Sequence, residues 1–164
     1  MGRRPRRSCT SSPGEGPVAA EPPISQECVE GYLFVAAPFS LLTLRRPPSR
    51  ERWWVPVSGK VDPSDRSRES ALRREIFEET GFAGPLRPFS LDWDVPFDGP
   101  DGRRWRLHAY GVELDGRWVP RLSDEHEGYA WLTAREALAR LHFEDNREAL
   151  RRLLAGFAAP APGP

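Results

Sequence analysis

Apolar and polar positions follow one another along this chain in short alternating blocks. Gly31–Val35 and Ser40–Leu44 are compact apolar runs that read as two strands, broken by Ala36-Ala37-Pro38. Trp53–Val57 is a third, short apolar strand, and Pro56 near its end places it at a sheet edge or at the entry to a loop. A turn-rich loop from Ser58 to about Arg68 leads into a helical stretch, Glu69–Thr80, that Gly81 stops. Leu86–Val95 and Arg104–Leu114 read as the arms of a hairpin, because the connection PFDGPDG is dense in turn residues. In the second arm Trp105, Leu107 and Ala109 alternate with Arg104, Arg106, His108 and Tyr110, so one face is apolar and the other polar and aromatic. Tyr129–Leu132 is a last strand. Thr133 then caps a helix through Leu141, with Glu136 completing a capping box. A final helix covers Asp145–Phe157, with Leu150, Leu153 and Leu154 on one face. Strands alternating with helices, and no internal repeat, predict an α/β domain with a mixed sheet covered on both sides.

Composition fixes the limits of that domain. Residues 1–25 are rich in Arg, Pro, Ser and Gly and nearly free of large apolar side chains, so they are expected to form a disordered tail. The segment 158–164 reads as a flexible C-terminal tail, which leaves one domain at 26–157 in a chain of 164 residues. The cluster Arg3, Arg4, Arg6 and Arg7 can touch nucleic acid, but a solvated tail accounts for it, and no nucleic-acid partner is expected. The chain has 24 basic and 24 acidic residues, so net charge favours neither a nucleic-acid nor a membrane partner. Cys9 and Cys28 form neither a disulfide framework nor a zinc site, no membrane span is present, and the basic N-terminus lacks the apolar stretch of a secretory signal. These features together imply a cytoplasmic protein. Oligomeric state leaves no mark in the sequence.

The chemistry concentrates in Arg74-Glu75-Ile76-Phe77-Glu78-Glu79-Thr80-Gly81. On a helix Glu75, Glu78 and Glu79 fall on one face, where three carboxylates repel unless a cation sits among them. Carboxylate oxygens are hard ligands, suited to Mg²⁺ and also to Mn²⁺. Arg74 lies four residues before Glu78 and can pair with it, while Leu72 and Ile76 supply an apolar side. Acidic clusters are commonly solvated helix ends. Here, however, Glu75 has a like charge, Glu79, at the position where a solvated helix usually places a basic partner. The preceding loop, Ser58-Gly59-Lys60-Val61-Asp62-Pro63, holds a glycine that lets the backbone approach a ligand closely.

With these residues in view, Gly59–Phe82 resembles the Nudix box, the signature of hydrolases acting on a nucleoside diphosphate linked to another moiety. Gly59 opens the pattern and Arg74-Glu75-Ile76-Phe77-Glu78-Glu79-Thr80-Gly81-Phe82 closes it. Asp65 stands where the family has its first glutamate, and eight residues separate it from Arg74 where the family has seven. Glu69, only five residues before Arg74, is a poorer match to that position. The segments Glu125-His126-Glu127-Gly128-Tyr129-Ala130-Trp131-Leu132 and Asp145-Asn146-Arg147-Glu148-Ala149-Leu150 are similar to two subgroups. These are the dihydroneopterin triphosphate pyrophosphohydrolases and the diadenosine tetraphosphate hydrolases.

The resemblance implies a Nudix-type α/β/α sandwich and attack of a metal-activated water on phosphorus. It implies a nucleotide or pterin polyphosphate substrate and Mg²⁺, or Mn²⁺, held by Glu75, Glu78, Glu79 and the Gly59 carbonyl. Arg74 orients the carboxylates, and Glu79 or Glu125 takes the proton. Substrate contacts are expected from Arg45 and Arg46 at a strand end, and from Arg106 and Tyr110 on the polar strand face beside Arg104 and His108. Trp53, Trp54 or Trp93 can stack on a ring, though such residues are more often core. His126 and His142 are expected to be structural. The alternative is a Nudix-fold module that binds a nucleotide without cleaving it. Such modules typically lose box glutamates, and this chain keeps all three of the helix.

Overall fold

The computed structural model describes residues 21–158, the side chain of Ala158 excepted. Expectations for 1–20 and 159–164, including Cys9 and the arginine cluster, lie outside the described residues.

Strand β1 (Gln26–Ala36) is the spine of a mixed sheet. Along one edge it pairs in parallel with β6 (Arg104–Glu113), from Gln26 opposite Trp105 to Phe34 opposite Glu113. Its other edge is shared. Cys28–Gly31 pairs antiparallel with β4 (Val57–Lys60), and Phe34–Ala36 with β2 (Phe39–Arg45). β2 also carries β3 (Trp54–Val55) and β7 (Gly128–Leu132), and β5 (Pro88–Asp98) closes the far edge against β6.

Two departures from the sequence expectation have a plain physical reason, while β5, read as Leu86–Val95, runs Pro88–Asp98. The strand read as Gly31–Val35 begins at Gln26, because the acids that interrupt its apolar run are satisfied by partners remote in sequence. Glu27 receives Arg68 at 2.8 and 3.0 Å, and Glu30 receives Asn146 at 2.9 and 3.0 Å. The strand read as Trp53–Val57 is two strands, since Pro56 has no N–H to donate and the chain changes partners there, from β2 to β1. The hairpin is present, with a register shift between Ser90 and Asp94, where Asp92 takes a positive φ of 51°.

Helix α1 (Arg68–Thr80) packs Ala71, Leu72 and Ile76 on one face of the sheet, against Val29, Leu33, Leu42 and Val57. Helices α2 (Ala134–Arg140) and α3 (Glu144–Ala158) cover the other face, where Ala137, Leu150 and Leu153 meet Tyr32, Phe34 and Leu132. Successive β1 residues therefore enter different cores, and the result is the α/β/α sandwich with a mixed sheet expected above. The Thr133–Glu136 capping box forms as read: the Thr133 N–H donates to the Glu136 carboxylate at 2.9 Å and its hydroxyl accepts the Glu136 N–H at 3.3 Å. Among the described residues, no helix is long and apolar enough to cross a membrane.

Candidate active site

α1 is held at both ends by local chemistry. Ser67 caps its start, accepting the Ser70 N–H at 3.1 Å, while its own N–H donates to the Ser70 hydroxyl at 2.9 Å. Gly81 ends it in the left-handed conformation at φ 70°, its N–H returning to the Phe77 carbonyl at 2.8 Å. Between these caps the 3.6-residue period turns the Leu72 and Ile76 side inward and carries Glu75 and Glu79 toward β4.

The Glu75 carboxyl lies directly against Gly59. A β-carbon built at Gly59 would sit 1.9 Å from Glu75 Cδ, so any side chain there would displace the carboxyl. Glu79 lies behind the Ser58 backbone, 5% exposed, and its single hydrogen bond among the described residues is from the Ser58 N–H at 3.4 Å. Burial and then the neighbouring Glu75 charge push the Glu79 carboxyl up to about 9. Burial likewise raises Glu75. Glu78 is exposed. Arg74 bridges this face: its guanidinium donates to Glu75 at 2.7 Å, Glu78 at 3.2 Å, Asp65 at 2.8 Å and the Lys60 carbonyl at 2.9 Å. These bonds, the one to Asp65 foremost, raise the Arg74 pKa.

Asp65 also accepts the Asp62 N–H at 2.8 Å, and its pairing with Arg74 holds its carboxyl below the usual range. Despite the shorter side chain and the additional loop residue, Asp65 therefore braces the loop against α1. Among the described residues, no three acidic, His or Cys side chains converge closely enough to chelate an ion. Arg74 lies between Glu75 and Glu78, a cation already placed among the carboxylates. The residues nevertheless fit a hard divalent ion chemically. The donors are all oxygen, Glu79 is a buried acid with one weak partner, and the backbone beside Glu75 is bare at Gly59.

A cleft of about 1030 Å³ opens beside these groups. Its polar end is lined by Ser58, Gly59, Glu75, Glu78, Arg46 and Glu125, joined by Arg50, which pairs with Glu125 at 3.3 Å. Burial and the adjacent Arg50 charge lower the Arg46 pKa. The other end is apolar, lined by Val95, Phe97, Pro100, Trp105 and Leu107, while Phe143 enters the cleft from its packing on Trp53. Lys60 Nζ stands 4.7 Å from the Trp105 ring centroid, and Phe97 meets the same ring edge-on at 5.9 Å. Glu30, Asp145 and Asn146 line the cleft as well.

Of the residues expected from sequence, Gly59, Glu75, Glu78, Glu125 and Arg46 thus come together, with Glu79 and Arg74 directly behind them. Arg45, Arg106 and Tyr110, expected as substrate contacts, are not among the residues that line the cleft. Arg45 is taken by Glu127 at 3.1 Å and lies over Trp54. Strand alternation turns Arg106 to the face opposite Trp105 and Leu107. Tyr110 packs half-buried on the core beneath α1. The expected stacking tryptophans are also engaged elsewhere. Trp53 stacks on His142 at 4.0 Å, Trp54 lies beside Arg45 and Arg140, and Trp93 lies under Arg152. Trp105 is the tryptophan that faces the cleft. His126 is buried, with desolvation lowering its pKa to about 4. Sequence reasoning missed Arg50, Glu30, Asn146 and the aromatic end. The available signal was a charged residue inside the apolar run of β1.

A model of the NUDIX domain matches residues 32–153. The chain is 33% identical over 106 residues to the asymmetrical bis(5'-nucleosyl)-tetraphosphatase of Rattus norvegicus, covering 60% of this chain and 67% of that protein. It is 30% identical over 118 residues to a Myxococcus xanthus octanoyltransferase, covering 70% of this chain but only 32% of that longer protein. In fold it is similar to the E. coli dihydroneopterin triphosphate pyrophosphohydrolase, with a TM-score of 0.70, 20% identity, and 82% and 99% of the two chains covered. On the domain match, and with the glutamate face and glycine loop in place, the chain belongs to the Nudix hydrolase family.

Proposed function

We propose that this protein hydrolyses a diphosphate linkage in a nucleoside triphosphate-like or dinucleoside polyphosphate substrate. The observation that carries this reading is Glu75 packed against side-chain-free Gly59, with Glu79 buried behind the Ser58 backbone, beside a cleft large enough for a nucleotide. Glu75, Glu78 and Glu79, with the Gly59 carbonyl, would hold Mg²⁺ or Mn²⁺, which supplies charge neutralisation and a more acidic water. Arg74 holds Glu75 and Glu78 in place and ties them to the loop through Asp65. Glu79 or Glu125 accepts the proton from the attacking water. Arg46 and Arg50 present their guanidinium groups to the phosphate chain. A cytoplasmic setting belongs to the same reading, supported by a nucleotide substrate and the free thiol of Cys28.

The test is a panel of diphosphate compounds with Mg²⁺ or Mn²⁺, resolving pyrophosphate, phosphate and nucleotide products. Glu79→Gln and Glu125→Gln are run beside the parent. The expected outcome is metal-dependent turnover that one of the two variants reduces by about 10²–10⁴-fold, the range for loss of a general base. Absence of turnover on every compound, or full activity in both variants, overturns the reading.

A further inference from the structure

The hairpin loop between β2 and β3 is held in a costly shape. Pro47 and Pro48 lead into a short turn, Pro48–Arg50, and the Arg46 N–H closes the loop on the Trp53 carbonyl at 2.9 Å. Glu51 and Arg52 then both take left-handed conformations, at φ 58° and 57°. Two successive non-glycine residues in that region carry strain, which persists only where other contacts hold it. Here the contacts are ion pairs to the loop that precedes β7. Arg50 reaches Glu125 at 3.3 Å, and Arg45 and Arg52 reach Glu127 at 3.1 and 3.5 Å. The Glu127 N–H adds a bond to the Arg45 carbonyl at 2.8 Å, and the His126 N–H returns to the Ser123 carbonyl at 3.2 Å. The backbone is therefore pinned on both sides of the Arg50–Glu125 pair. The two side chains, 53% and 60% exposed, stay free to change partners.

Glu125 is one of the two groups assigned above to accept the proton, and its Oε2 is taken by Arg50. Of the four arginines at this mouth, Arg45, Arg50 and Arg52 are paired with acids, while Arg46, among the described residues, is not. Arg46 and Arg50 line the cleft together, and their charges repel until an anion lies between them. We propose that Arg50 is a latch on Glu125 that polyphosphate opens. Arg50 rests on Glu125 in the free protein and crosses to the phosphate oxygens when a polyphosphate chain settles on Arg46. Magnitudes favour the exchange. An exposed ion pair of this kind shifts an equilibrium by about 5-fold at most. A polyphosphate concentrates several negative charges, and its oxygens accept both prongs of a guanidinium. Glu125 is thereby released to the attacking water only when a substrate is bound. This inference rests on the cleft being the diphosphate site proposed above and adds how that site is regulated.

The probe is inorganic tripolyphosphate, titrated by calorimetry in EDTA without divalent metal, so that binding is read apart from turnover. The parent, Arg50→Met, Glu125→Ala and the double variant form a cycle at one ionic strength. Both side chains are exposed, so neither change opens the core, and circular dichroism confirms that each variant is folded. Arg50→Met is expected to weaken binding by about 10-fold, the loss of a charge-assisted contact. Glu125→Ala is expected to tighten it by about 3- to 5-fold, because Arg50 no longer has to be drawn off its partner. Made in the Arg50→Met background, the same Glu125→Ala change should give almost no gain. The proposal is overturned if that gain is as large without Arg50 as with it, the result that simple repulsion between Glu125 and phosphate produces. It is also overturned if Arg50→Met binds as tightly as the parent, or if the parent does not bind tripolyphosphate. Failure of the diphosphate-cleaving reading shows separately, as absence of turnover in a parent that still binds the probe.

Discussion

A methyl group at position 59 would take the space of the Glu75 carboxyl. The β-carbon of Gly59→Ala would fall 1.9 Å from Glu75 Cδ, so the carboxylate must swing away from the loop. Displacements of about 1 Å at a reacting centre can cost on the order of 10²-fold. Gly59→Ala should therefore lose about that factor in kcat/KM while calorimetry finds a folded protein. Activity within a few-fold of the parent would mean that the Glu75 position does not matter. Glu30 makes a different prediction. Burial pushes its carboxyl up to about 7, with Asp145 adding to the rise and Tyr32, Asn146 and Arg46 opposing it. A carboxyl whose folded pKa lies above its unfolded value favours folding most below the unfolded pKa. That contribution is lost as pH rises from about 4.5 to 7, by roughly 3 kcal/mol at most. The Tm of Glu30→Gln minus that of the parent should thus be more positive at pH 8 than at pH 4.5. A difference that does not change with pH would show that folding does not raise the Glu30 pKa. At this scale the glutamate face was legible, because 3.6-residue periodicity is local. The Glu30–Asn146 pair was not, because its members are 116 residues apart and meet only through the sheet topology.

The elements place these residues, and their ends were written in short-range chemistry. Thr133 with Glu136, and Gly81 after Thr80, marked helix limits because capping needs only the next few residues. Ser67 at the start of α1 works in the same way. Ser67→Ala should lower stability by about 1 kcal/mol in chemical denaturation, with the order of substrate preference unchanged. A change in preference would mean that the α1 terminus does more than anchor the glutamates. The two faces of β6 show the limit of pattern at this scale. Alternation correctly separates Trp105 and Leu107 from Arg106 and Tyr110, but the usual rule assigns an apolar face to core and a polar face to ligand. Here the apolar face continues past the core and lines the open end of the cleft. Periodicity shows that two faces differ; the surrounding elements decide what each one meets.

At the scale of the whole molecule, charge is balanced but locally unbalanced. With 24 acidic and 24 basic residues the chain has no net charge, yet Glu78 and Glu125 raise the pKa of Glu75, and Glu75 and Glu125 raise that of Glu79. Folding brings these acids together, whereas in the unfolded chain Glu125 is remote from the others and solvent screens them all. An ion that binds the assembled site therefore stabilises the fold itself. At a concentration about 100 times its dissociation constant the gain is roughly 2.7 kcal/mol, a rise in Tm on the order of 5–10 °C for a chain of this size. Differential scanning calorimetry with Mg²⁺ or Mn²⁺, against Na⁺ at matched ionic strength, should find that rise with the divalent ions alone, and EDTA should reverse it. Glu79→Gln removes a ligand and a buried acid together. Its starting Tm should therefore equal or exceed that of the parent, while most of its divalent response disappears. An equal rise with Na⁺ would mean that general screening relieves the repulsion. An undiminished response in Glu79→Gln would place the ion elsewhere in the protein.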